Sequence, residues 1–283
     1  IFLFHRFQLM RESSLLKTPI GQQVQVNGKK MSIYVKGKGK KTLVFLGGQG
    51  TDSPILDFKA LYSKLTDDYR IVVVDRFGYG FSDDTKDSRI LDHVLRDTRI
   101  ALKEAKISGP YVLVPHSISG LEAIHWANKY PNEVTSIIGL DMTVPGFQAT
   151  DLDEEYRFHQ FERLAAALGF IRFPFFFNPK TLPPLQSKAL TKREEETYKA
   201  FIYQRTISDA FLSEVKETNN SINIVDKEAV PQIPTLQFVA TKNEKESKES
   251  VEKRIQIAKK FAEKNPKNEL VFLKGPHYIH DYK

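Results

Sequence analysis

Apolar and polar positions alternate at residues 22–26 and 31–35, the period-two pattern of half-buried strands. Asn27-Gly28 lies between them, and that dipeptide is the strongest short-range hairpin signal. Residues 36–41, KGKGKK, read as a solvated turn. The pattern then changes. Residues 42–46 form a short continuous apolar run, the mark of a strand covered on both faces. Further strands are expected at 69–74, 111–114, 134–140, 235–240 and 269–273. Helices are expected at 57–65, at 118–130 (ended by Pro131) and at 91–105. The last carries apolar positions at Leu91, Val94, Leu95, Leu102 and Ala105. Strand and helix alternate from 42 to 141, which argues for a parallel sheet.

That rhythm stops at about residue 146. From 146 to 230 no strong strand pattern appears. Residues 154–168 and 193–218 read as helices, and an aromatic, proline-rich piece lies between them, with Phe173, Phe175, Phe176 and Phe177. The expectation is an α/β fold: a mostly parallel central sheet flanked by helices, with an inserted helical cap at 146–230. The core comprises 21–145 and 231–283, and 1–20 is an N-terminal arm. The cap phenylalanines either line an apolar pocket, with Phe176 a substrate contact, or form the cap's own core. Membrane contact is a third reading. Residues 251–265 form a solvated amphipathic helix whose charges need no functional explanation.

The chemistry centres on residues 111–130. A buried strand runs into Pro115-His116-Ser117-Ile118-Ser119-Gly120, and a helix follows. A serine at such a strand–turn–helix apex is a nucleophile elbow, whose usual form is G-x-S-x-G. Here Pro115 and Ser119 hold the two glycine positions. The turn lifts the Ser117 hydroxyl clear of the sheet and aims the Ile118 amide at the same space, where it can stabilise an oxyanion. Gly47-Gly48-Gln49-Gly50 follows the 42–46 strand, at the sheet end where ligands bind in open parallel folds. Its functional reading is a second oxyanion donor, the Gln49 N–H, with Gly48 close to substrate. The other reading is an ordinary strand-to-loop turn. Residues 75–83, DRFGYGFSD, read as a structural loop whose Asp75 ties down amides.

Composition narrows the classes. The 283 residues suffice for one large α/β domain with an insertion, and 41% hydrophobic with 27% charged residues is ordinary for a globular protein. The net charge of +7 comes from basic residues scattered among acids, which is not a nucleic-acid footprint. The absence of cysteine excludes disulfides, thiol nucleophiles and thiolate metal sites. No phosphate loop, metal-ligand cluster or dinucleotide motif is present, so no cofactor and no metal are expected. Residues 1–4, IFLF, precede His5, Arg6 and Arg11. They read either as the end of a transmembrane anchor or as an amphipathic arm packed on the domain. The first would place the protein at a membrane, the second in the cytoplasm.

In this order, Gly47-Gly48-Gln49-Gly50, the 75–83 loop, the Ser117 turn and Gly275-Pro276-His277 resemble the α/β-hydrolase fold superfamily, in its serine hydrolase branch with an inserted cap. The similarity runs from Thr42 to His280. The resemblance implies a triad ordered serine, acid, histidine, with His277 as the base. Two places are open for the acid: Asp141, after the strand following the elbow helix, or Glu244 in the loop after the next-to-last strand. In that loop Asn243 takes the family's commonest acid position, and the expectation favours Asp141. Of the other histidines, His116 adjoins the nucleophile and shapes the pocket, and His280 supports.

The expected function is a serine hydrolase that cleaves a small hydrophobic ester, amide or short peptide through an acyl-enzyme. The alternative is a weakly catalytic or non-catalytic small-ligand-binding protein on the same fold.

Overall fold

A computed structural model describes residues 1–149, 152–205, 207–242 and 247–282. Eight strands form one sheet: β1 Gln22–Val26, β2 Lys29–Lys36, β3 Thr42–Leu46, β4 Arg70–Asp75, β5 Tyr111–Pro115, β6 Val134–Leu140, β7 Thr235–Ala240 and β8 Asn268–Leu273. Their spatial order is β1-β2-β4-β3-β5-β6-β7-β8. The β1–β2 and β2–β4 pairs are antiparallel and all others parallel. Asn27 and Gly28 take positive φ of 49° and 79°, the left-handed pair that a type I′ hairpin needs. That turn sets the β1–β2 register Val26↔Lys29.

The helices are α1 Phe2–Glu12, α2 Pro54–Asp57, α3 Lys59–Tyr62, α4 Leu91–Glu104, α5 Ser119–Lys129, α6 Leu152–Ala167, α7 Pro183–Gln186, α8 Lys192–Arg205, α9 Asp209–Asp226, α10 Lys248–Glu263 and α11 Ile279–Tyr282. β3 and β5 are buried at every position, because helices cover both sheet faces. Side chains divide by the period-two rule. Val44, Leu46, Val72, Val74 and Leu113 join the layer under α4 and α5 with Trp126. Leu43, Phe45, Ile71, Val73 and Val114 join the opposite layer with Phe58, Tyr62 and Ile279.

Two expected helices are broken. The one expected at 57–65 becomes α2 and α3, interrupted at Phe58 and begun by Pro54 at the first helical position. The one expected at 193–218 becomes α8 and α9. Ser208 stops it, because its hydroxyl accepts the Phe211 amide and caps α9. Residues 152–226 contribute only helices and turns among the described residues. α1 lies against this insertion: Arg172 donates from Nη1 and Nη2 to the Glu12 carboxylate, and from Nε to His5 Nδ1.

Candidate active site

The strand order carries β5 to the middle of the sheet and delivers Ser117 at its carboxyl end. Ser117 holds φ at +56°, a left-handed conformation that costs a non-glycine residue about 1–3 kcal/mol. Hydrogen bonds over-determine the turn. The Ser119 hydroxyl accepts the His116 amide at 3.0 Å and lies within bonding distance of the Leu46 carbonyl, at 2.7 Å. A buried serine therefore serves at a position where the usual motif has glycine. Gly120 has no substitute: a Cβ there would lie 2.2 Å from the Thr143 carbonyl oxygen. Gly48 is pressed onto the same turn, and a Cβ on it would meet Ser117 Cβ at 2.9 Å and His116 Nδ1 at 3.1 Å. The loop after β3 thus lies directly against the serine.

The backbone amides of Gln49 and Ile118 donate to no group among the described residues. Both residues line a cleft of about 490 Å³ that contains Ser117 and is walled by Phe147, Leu152 and Ile257. Two amides without partners among the described residues therefore line the cleft that holds Ser117, and amides of this kind can donate to an oxygen that carries negative charge.

β6 delivers Asp141, which also holds positive φ, at 45°. Its carboxylate is buried. Oδ2 accepts His277 Nδ1–H at 2.6 Å, and Oδ1 accepts the Ala240 amide at 2.9 Å. A carboxylate on Nδ1 selects the tautomer whose Nε2 carries a lone pair. The His277 ring stands 4.6 Å, centroid to centroid, from that of His116, the residue before Ser117. The Ser117 hydroxyl makes no hydrogen bond among the described residues, His277 included.

Two expected contacts lie elsewhere. His116 is 1% exposed and sits behind the turn, not in the pocket wall. Its Nε2 donates to the His277 carbonyl at 3.3 Å. Burial, then the neighbouring His277 and His280, hold it well below the ordinary histidine range and so neutral. Phe176 lines a second cavity, of about 560 Å³, with Gly50 and Phe211. Gln49 lines the first cleft and its neighbour Gly50 the second cavity. Glu244, the other candidate acid, lies outside the described residues, as does Asn243.

Two arginines at the site escaped the sequence reading. Arg254, on α10, donates from Nη1 to Asp141 Oδ1 at 2.5 Å and Oδ2 at 2.7 Å, and to the Ala240 carbonyl at 3.1 Å. The helix expected to be merely solvated thus supplies a cation to Asp141. Its sequence is rich in charges of both signs, and nothing local marks Arg254 out. Arg76 is buried between Glu122 of α5 and Glu214 of α9, 3.6 and 3.5 Å away, and donates to the Gly48 carbonyl at 3.4 Å. It links the loop after β3 to the elbow helix and the insertion.

Behind the site, Asp57, His116 and His280 bring three ligand-type atoms within 4.8 Å of one another. His280 Nε2 already donates to Asp57 Oδ2 at 3.0 Å, so these groups act as hydrogen-bond partners in the packed core.

Comparison with known proteins agrees with this architecture. The uncharacterized protein YbdG of Bacillus subtilis is 35% identical over 295 aligned positions, covering 100% of this chain and 87% of that protein. A 2-(acetamidomethylene)succinate hydrolase of Mesorhizobium japonicum is 28% identical over 134 positions, covering 47% of this chain and 46% of the relative. Among solved structures, an epoxide hydrolase from Bacillus megaterium superposes with a TM-score of 0.69 at 18% identity, covering 92% of this chain and 95% of that one. The family model for the alpha/beta hydrolase fold matches residues 41–283. With the strand order and the loops described above, this chain belongs to the α/β hydrolase fold family.

Proposed function

We propose that the protein is a serine hydrolase that cleaves a hydrophobic ester, amide or short peptide bond through an acyl-enzyme. The observation that carries the reading is the 2.6 Å hydrogen bond from His277 to Asp141 beside the Ser117 turn. Ser117 Oγ attacks the substrate carbonyl carbon, and its proton passes to His277 Nε2. The Gln49 and Ile118 amides receive the oxyanion. Collapse of the tetrahedral intermediate expels the alcohol or amine, which takes the proton from His277. Water then attacks the acyl carbon and loses its proton to His277; collapse of this second intermediate breaks the bond to Ser117 Oγ, which takes the proton back from His277 as the acid leaves. Asp141 stays ionised throughout, holding the imidazole in one tautomer and stabilising the imidazolium. No step requires a metal or an organic cofactor. The apolar cleft walls support acyl or amine groups of small to medium size.

The test is the reaction with a p-nitrophenyl ester of a short acyl chain. The reading expects a burst of nitrophenolate and, on acid quench, the acyl mass on the peptide that contains Ser117. Turnover without an acyl-enzyme, or an acyl group on another residue, contradicts it. Tight binding of small apolar ligands with no turnover supports the ligand-binding alternative instead.

A further inference from the structure

The most exposed large apolar side chains are not scattered. Apart from Val271, Phe272 and Tyr282, they fall on two segments. One is α1, with Ile1, Phe2, Leu3, Phe4, Phe7 and Met10. The other is the insertion, with Phe158, Phe161, Leu164, Leu168, Phe175 and Phe176. Leu3 is 82% exposed and Phe175 80%. The two segments are neighbours in space. A Cβ on Gly169, at the end of α6, would touch His5 Cβ at 2.6 Å and Ile1 Cγ2 at 3.4 Å. The ion pair of Arg172 with Glu12 and its bond to His5 hold them together. α1 is thus pinned by one face and turns its phenylalanines outward. Exposed apolar side chains gathered on two adjoining segments mark an interaction face.

Charge states what it meets. Residues 1–11 and 163–190 contain Arg6, Arg11, Arg163, Arg172, Lys180 and Lys188 and no acid, while the acids of the two segments are Glu12 and, on the part of α6 before Arg163, Asp153, Glu154, Glu155 and Glu162. Arg163 pairs with Asp209 and Arg172 with Glu12. Arg6, Arg11, Lys180 and Lys188 have no carboxylate partner among the described residues. Apolar side chains interleaved with unneutralised cations match the interfacial zone of an anionic bilayer, where the rings enter the acyl boundary and the cations meet phosphate. The cavity of about 560 Å³ lies behind this face, and Phe161, Leu164, Leu168 and Phe176 belong to both. No helix among the described residues is long and apolar enough to cross a membrane. We infer that α1 and the insertion together dock the protein peripherally on an anionic lipid surface. The docking does not depend on the serine hydrolase reading.

The experiment is co-sedimentation of the full 283-residue chain with vesicles of phosphatidylcholine alone and of phosphatidylcholine mixed with phosphatidylglycerol, at low and high salt. Binding is expected to the mixed vesicles and to weaken with salt. The triple substitution Leu3→Ser, Phe7→Ser, Phe175→Ser, on exposed positions, is expected to lower vesicle affinity at least about tenfold. Arg6→Gln with Arg11→Gln is expected to remove the preference for anionic vesicles. No binding, or binding indifferent to both sets, overturns the inference. So does a dimer in solution that the apolar substitutions dissociate, since the face would then be covered by a second copy. Hydrolysis of a soluble short-chain ester is followed on the same samples. A wild type that hydrolyses the ester but does not dock removes this inference alone, and a wild type that docks without hydrolysis removes the enzymatic reading alone.

Discussion

Ser117 and Asp141 are both forced into left-handed backbone conformations at the ends of adjacent parallel strands. Local strain that the fold maintains at two neighbouring positions is what a preorganised site looks like. Asp141→Asn keeps the shape but turns the hydrogen bond to His277 around, and kcat is expected to fall about 10⁴-fold with KM little changed. Arg254 acts on Asp141 and not on the reacting atoms. Arg254→Gln is expected to lower kcat about ten- to a hundredfold through misplacement of Asp141 and His277, with Arg254→Lys restoring part of it. Equal loss in both variants would show that a positive charge there is not enough and that the Nη1 contacts to both Asp141 oxygens and the Ala240 carbonyl decide. Ser117 was legible because its signal is local: strand, turn and helix fall within a short stretch. Asp141 was legible only as one of two places. Arg254 was not legible, because its partner lies 113 residues away and a charged helix face looks the same whether solvent or a carboxylate meets it.

The elements that set the site are the loop after β3 and the elbow between β5 and α5, packed with no room for side chains. Gly48→Ala must push the loop off Ser117 and His116. The expected result is a kcat loss of about a hundredfold, greater than any change in KM, with about 1–3 kcal/mol of stability lost. Gly120→Ala drives a methyl into the Thr143 carbonyl and separates α5 from the loop after β6; it is expected to destabilise by at least that much in chemical unfolding. If either variant matches the wild type in both respects, the close packing described here is wrong. Strands were the better-read elements, since runs buried on both faces are unambiguous between turns. The breaks at Phe58 and Ser208 were missed because apolar periodicity continues across them. The capping hydroxyl of Ser208 outweighs that periodicity.

Across the molecule, ionisable groups are buried in numbers that shape stability against pH. Burial, then the neighbouring Asp57, raises the Asp281 carboxyl from 3.8 to about 9. Burial raises Asp75 to about 7 against the Ile55 and Phe81 amides that oppose it. In the unfolded chain both ionise near pH 4, while the folded chain keeps their protons to higher pH. Folding therefore takes up protons in that range, and stability falls as pH rises through it. His116 acts oppositely. The unfolded chain gains its proton below about 6.5 and the folded chain does not, so stability falls as pH drops there. Between pH 7 and pH 9, below the range in which the buried tyrosines Tyr62, Tyr79, Tyr198 and Tyr278 add to the alkaline loss, the Asp281 effect leads. Asp281→Asn is expected to flatten the decline between pH 7 and pH 9, a gain of about 1–2 kcal/mol at the alkaline end, read from thermal unfolding. A variant that declines as steeply as the wild type would place the alkaline loss elsewhere. None of this is legible in the sequence, because burial of His280 and Asp281 follows from packing α11 against α3 and α7 and from the His280 bond to Asp57 of α2, contacts far apart in sequence.

The proposed function depends on Ser117 being a nucleophile activated by His277. Its most direct test is labelling with a fluorophosphonate probe, which bonds covalently to an activated serine. Wild type is compared with Ser117→Ala, His277→Ala and Asp141→Asn, each checked for folding by circular dichroism. Rapid labelling of the wild type is expected, with none in the Ser117 variant and strongly slowed labelling in the other two. A folded wild type that does not label, or a Ser117→Ala protein that labels as well as the wild type, would contradict the proposed function.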